Sequence, residues 1–99
     1  MDIVNELEEY KKTVDNAKDK LKEAKSALKK FYNDGHGDLL KELNSRMLTD
    51  KLDSDERETR EMLVKWEHVL QKTAIIYLEL WQRKYAVFQE ARILIQQVE

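Results

Sequence analysis

Few side chains in this sequence stand where they could do chemistry. The densest group is Asp34-Gly35-His36-Gly37-Asp38, which places three ligand-type side chains in a glycine loop. Such a loop could hold a metal ion. The calcium-loop pattern of alternating Asp closed by a trailing Glu is not matched, however. Asn, Asp and Gly are also the residues that helix-to-helix turns use, so the segment reads as a turn. His68 follows Glu67 with no second histidine four residues on, and so lacks the zinc-protease spacing. Ser26, Ser45 and Ser54 have no neighbouring base and no Gly-x-Ser-x-Gly elbow. An all-helical active site clamping a carboxylate wants arginines, and residues 1–33 contain none. No catalytic residue, metal or cofactor is therefore expected, and the protein reads as a non-enzyme.

Two surfaces are better candidates. Lys11, Lys18, Lys22, Lys25 and Lys29 recur at spacings of 7, 4, 3 and 4, along one flank of a helix. A basic stripe of this kind suits an electrostatically steered partner, either an acidic protein or a phosphate backbone. Its plain alternative is a solvated flank balanced by Asp15, Asp19 and Glu23. Around Trp81, Lys84 and Tyr85, aromatic rings mix with cations, as they do in protein interfaces. With Ile76, Leu80, Phe88 and Leu94 they form an expected interface.

The elements that must carry these surfaces are helices. Ile3, Leu7, Tyr10, Val14, Ala17, Leu21, Ala24, Leu28 and Phe31 alternate spacings of 4 and 3, an unbroken heptad seam. The spacing predicts a helix over about 2–32, roughly 48 Å long at 1.5 Å per residue. Asn33 to Asp38 is the one cluster of breakers, so a sharp chain reversal is expected at 33–38, with Asp38 capping the next helix. Leu39, Leu40, Leu43, Met47 and Leu48 give a short helix over about 39–52. Asp53 and Glu56 have capping-box spacing, which starts a last helix over about 54–98. One uninterrupted helix over 39–98 is the competing reading.

The last helix is the unusual one. Seven of the eight residues from Ala74 to Trp81 are apolar, and Tyr85 to Phe88 and Ile93 to Ile95 continue the trend. A helix apolar around most of its circumference needs covering on more than one side. Its length, roughly 67 Å, exceeds that of the first helix by about 20 Å. The uncovered part is expected at its carboxyl end, where apolar density is highest. A second copy of the chain is the simplest cover.

Composition agrees with this picture. The 99 residues are 41% hydrophobic and 38% charged, with two glycines, no proline and no cysteine. That excludes disulfide scaffolds, thiolate metal sites and loop-rich β folds. Eighteen basic against twenty acidic residues give a net charge of −2, which is not the balance of a nucleic-acid binder. No apolar run reaches the ~18 residues of a membrane span, and the acidic start is unlike a signal peptide. A cytoplasmic location is expected. The fold expected is all-α: a single elongated antiparallel helical bundle or coiled-coil hairpin, oligomeric through its last helix. The function expected is protein–protein interaction and oligomerisation, of adaptor, assembly or inhibitor type. The alternative is an accessory factor acting on nucleic acid through the lysine flank.

Overall fold

The computed structural model describes residues 2–49 and 51–98. It contains three helices in sequence: α1 (Ile3–Asn33), α2 (His36–Thr49) and α3 (Ser54–Val98). They make a rod of 70 × 18 × 18 Å. At 1.5 Å per residue α3 alone spans roughly 67 Å, the whole rod, so α1 and α2 must lie along it.

The expected reversal at 33–38 does not occur there. Ile3 of α1 borders Ile95 of α3, Phe31 stacks on Trp66, and Asn44 of α2 bonds Arg60. Partner numbers on α3 fall steadily as the first arm advances, through α1 and on through α2. Asn33 to Asp38 therefore only interrupts the first arm. The chain turns back between Thr49 and Ser54, and α3 runs the whole length beside both shorter helices. Helix α1 has 31 residues and α2 has 14; together they equal the 45 of α3. The 20 Å surplus expected at the carboxyl end of α3 is thus taken up at its amino end, by α2.

Local signals explain each boundary. Asp2 caps α1, its carboxylate accepting from the Val4 N–H at 3.1 Å. Gly35 ends α1 in the left-handed region, with φ of +87°, where a side chain would be strained. Helix α2 then begins at His36, three residues before the expected start, so Asp38 lies within its first turn and does not cap it. Gly37 has its own reason: a Cβ there would stand 2.7 Å from the Tyr32 ring. At α3 the capping box forms as its spacing implies. The Glu56 N–H donates to the Asp53 carboxylate at 2.8 Å, and the Asp53 N–H donates to Glu56 at 3.2 Å. Loss of such a cap costs about 0.5–2 kcal/mol, enough to account for two helices where periodicity alone also allowed one.

The core sits between the arms. In α1, Val14, Ala17, Leu21, Ala24 and Phe31 of the heptad seam are buried. Leu7, Tyr10 and Leu28 are half-buried, and Ile3 is exposed at the open end of the rod. Around the interruption, Phe31, Leu40, Leu43, Leu52 and Leu63 form one cluster, with Leu70 packed against it. Phe31 is its centre. Its ring meets Trp66 edge-on at 5.0 Å, Tyr32 edge-on at 5.4 Å and His36 at 5.2 Å. Edge-to-face pairs add about 0.5–1.5 kcal/mol beyond burial. Polar groups tie the turn end. The Arg60 guanidinium donates to Asn44 at 2.6 Å, and Arg46 pairs with Glu56.

Candidate functional site

Helix α3 carries its own seam toward the first arm. Leu63, Glu67, Leu70, Ala74, Tyr77, Trp81, Lys84, Phe88, Ala91 and Ile95 alternate spacings of 4 and 3, and each is buried or half-buried. Adjacent to it runs a second stripe with the same spacing: Met62, Trp66, Val69, Thr73, Ile76 and Leu80, continued by Val87 and Leu94. Thr73 is polar and half-buried, and Arg83 and Glu90 hold the intervening positions of the row; Met62 stands at 68% exposure, Val69 at 58%, Ile76 at 51% and Leu94 at 61%. Two heptad stripes on one helix are the pattern of a helix that packs on two sides.

The two long faces of the hairpin differ. On one, Leu80 and Lys84 border a groove with Thr13, Lys20 and Glu23. Val87 and Leu94 share another with Ile3 and Glu6, and Met62 a third with His36 and Leu39. The α1 residues here, Glu6, Thr13 and Lys20, each directly precede a seam residue. On the opposite face lie residues that directly follow one. Tyr32 and Gln71 meet there, the Gln71 amide donating to the tyrosine oxygen at 3.0 Å. Lys11, Lys18 and Lys25 follow Tyr10, Ala17 and Ala24 and so occupy this second face, flanked by Lys22 and Lys29; all five are exposed. The first face is apolar along its α3 half, and the second is basic along its α1 half.

The expected interface residues divide three ways. Ile76, Leu80 and Leu94 lie on the open stripe. Trp81, Lys84 and Phe88 are half-buried in the seam against α1. Tyr85 follows Lys84 and points to the basic side, its ring 5.5 Å from that of Trp81 and its hydroxyl accepting from Gln89 at 2.8 Å. Met62, Trp66, Val69 and Val87 belong to the open stripe and were not among the expected residues. The signal for them was present, as the second 4-3 spacing.

The Asp34 to Asp38 segment is built as helix ends. Asp34 pairs with Lys30 at 3.0 Å, and the His36 ring packs between Phe31 and Trp66, at 5.2 and 4.7 Å. Among the described residues no group of three His, Asp or Glu side chains gathers as a metal site. Nearby, partial burial pushes the Tyr32 hydroxyl above its usual pKa; the Gln71 hydrogen bond opposes this, and Glu67 adds to it. No helix among the described residues is long and apolar enough to cross a membrane. No known protein family matches this chain, and neither does any curated protein or solved structure.

Proposed function

We propose that the protein is a non-enzymatic helical interaction module that self-associates through the open stripe of α3. One observation carries the reading. Seven large apolar side chains, from Met62 to Leu94, stand exposed in a single heptad row after the chain has already closed its own core. Burying a side chain of this kind is worth about 1.5–3 kcal/mol, so the row favours a helical cover over water. Rows of this length are rare on monomers and mark interaction surfaces. Adaptor, assembly or inhibitor roles all use such a rod, which presents its basic face while its apolar face is occupied.

Light scattering at micromolar concentration tests this. The mass expected is at least twice 11.9 kDa, and Leu80→Asp is expected to return a helical monomer. A wild-type monomer with ordinary solubility would overturn the reading.

A further inference from the structure

We infer that the occupant of the open stripe is a second copy of the same chain, laid antiparallel, with the two-fold axis passing between Ala74 and Ile75. This rests on the self-association proposed above and specifies its geometry.

The stripe is self-complementary about that point. An antiparallel two-fold pairs each residue with the one equally far on the other side of the axis. Val69 then meets Leu80 of the other copy, and Thr73 meets Ile76. Farther out, Met62 meets Val87. The one charge between Met62 and Val87, Arg83, falls opposite Trp66; Glu90 lies outside this matched span, opposite Thr59. The Trp66 ring is 45% exposed while its inner side packs on Phe31 and His36, so a face is free for a guanidinium. In a parallel pairing, Arg83 would instead face Arg83 inside the apolar row.

Charge fixes the register. Lys72 and Glu79 are exposed along the solvent-side border of the stripe. With the axis at 74/75, each Lys72 stands level with Tyr77 of the other copy, two positions or about 3 Å along the axis from its Glu79, within reach of an ion pair across the border, twice per dimer. Sliding by one heptad in one direction brings Glu79 against Glu79; sliding the other way brings Lys72 against Lys72. Like charges placed this way select against the slipped pairings.

Shape agrees. The axis lies near the middle of α3, so the two 70 Å rods overlap almost end to end. The apolar match from Met62 to Val87 is about 38 Å long within a contact of about 60 Å; at about 10 Å wide the whole contact covers on the order of 600 Å² per chain, the lower edge of stable interfaces. At each end Met62 of one copy meets Val87 of the other, and Leu94 lies beyond the apolar match, level with Asp55.

The natural chain has no cysteine, so single cysteines report pairing directly. Val69→Cys and Leu80→Cys are made separately, checked for helicity by circular dichroism, and oxidised alone and as a mixture. Within one variant the paired cysteines would sit 11 residues apart along the axis, about 16 Å, beyond the reach of a disulfide. In the mixture they would face each other. The expected result is a covalent dimer joining positions 69 and 80, about tenfold or more above either variant alone, as the ~7 Å Cα limit on disulfides requires. Met62→Cys with Val87→Cys must behave likewise, and serves if either first variant fails to fold. Self-disulfides in the single variants, or no disulfide in the mixtures, with light scattering still showing a dimer, would overturn the register and leave self-association standing. A monomer by light scattering overturns both.

Discussion

The two arms of the hairpin solve the burial problem differently. Helix α1 places its apolar residues in one row and surrounds it with charge, so a single neighbour satisfies it. Helix α3 has two rows and one neighbour. Its seam row is closed by the first arm, and its second row is left open. The difference teaches that what one neighbour can cover is set by the number of heptad rows a helix carries, not by its total hydrophobicity.

Substitutions sharpen that comparison, and the largest effect belongs to the closed seam. Leu21 is 5% exposed in α1. Leu21→Asp buries an unpaired charge and is expected to abolish helicity at room temperature by circular dichroism. Leu80→Asp, on the open row, is expected to keep it. Equal loss in both would mean that the two rows are energetically one core.

Truncations give the next contrast. Leu63 is 4% exposed in the seam cluster and Val69 is 58% exposed on the open row. Urea unfolding at low concentration, where chains are dissociated, should show Leu63→Ala destabilised by about 2–5 kcal/mol. Val69→Ala should stay within about 0.5 kcal/mol of wild type, as exposed sites do, while weakening association at higher concentration. A Val69→Ala chain as unstable as Leu63→Ala would place that row inside the monomer's core.

The smallest effect concerns the basic face. Reversing Lys18, Lys22 and Lys25 to Glu removes exposed charges whose folding contribution is about 0–1 kcal/mol. Helicity and self-association through the apolar row should persist, with a slightly lower Tm because the new glutamates repel Asp15 and Asp19 three residues before them. Capture of an acidic partner should slow, most at low salt where the Debye length is long. Unchanged association rates at every ionic strength would reduce this face to a solvated flank.

Much of the fold was legible in residue order. The α1 seam and the all-helical class followed from spacing, and the capping box at Asp53 marked the start of α3. What misled was the glycine cluster. Breakers show that a helix stops but carry no information on direction, and here the chain resumes the same course. The α3 seam was hidden for a related reason. Glu67 and Lys84 occupy seam positions, while Met62, Trp66 and Val69 lie one row over, so two rows read as one broad stripe. Ile76, Leu80 and Leu94, singled out by apolar density alone, lie on the open row; Trp81 and Phe88 were drawn in by the same density although they face α1.

The interruption at Asp34-Gly35 has a consequence for how the rod tolerates change in length. From Ile3 to Asn44 the first arm advances 41 positions, while α3 spans 35 between the matching Arg60 and Ile95. The six extra residues are absorbed at one joint, with no loop budding from the rod. That joint uncouples two zippers: α1 against the distal part of α3, and α2 against its beginning. A residue added beside Gly35 leaves both in mesh. The same addition after Leu21 rotates every preceding seam residue by about 100° and throws the whole open end out of phase. Gly35 thus stands between two stretches whose registers are set separately.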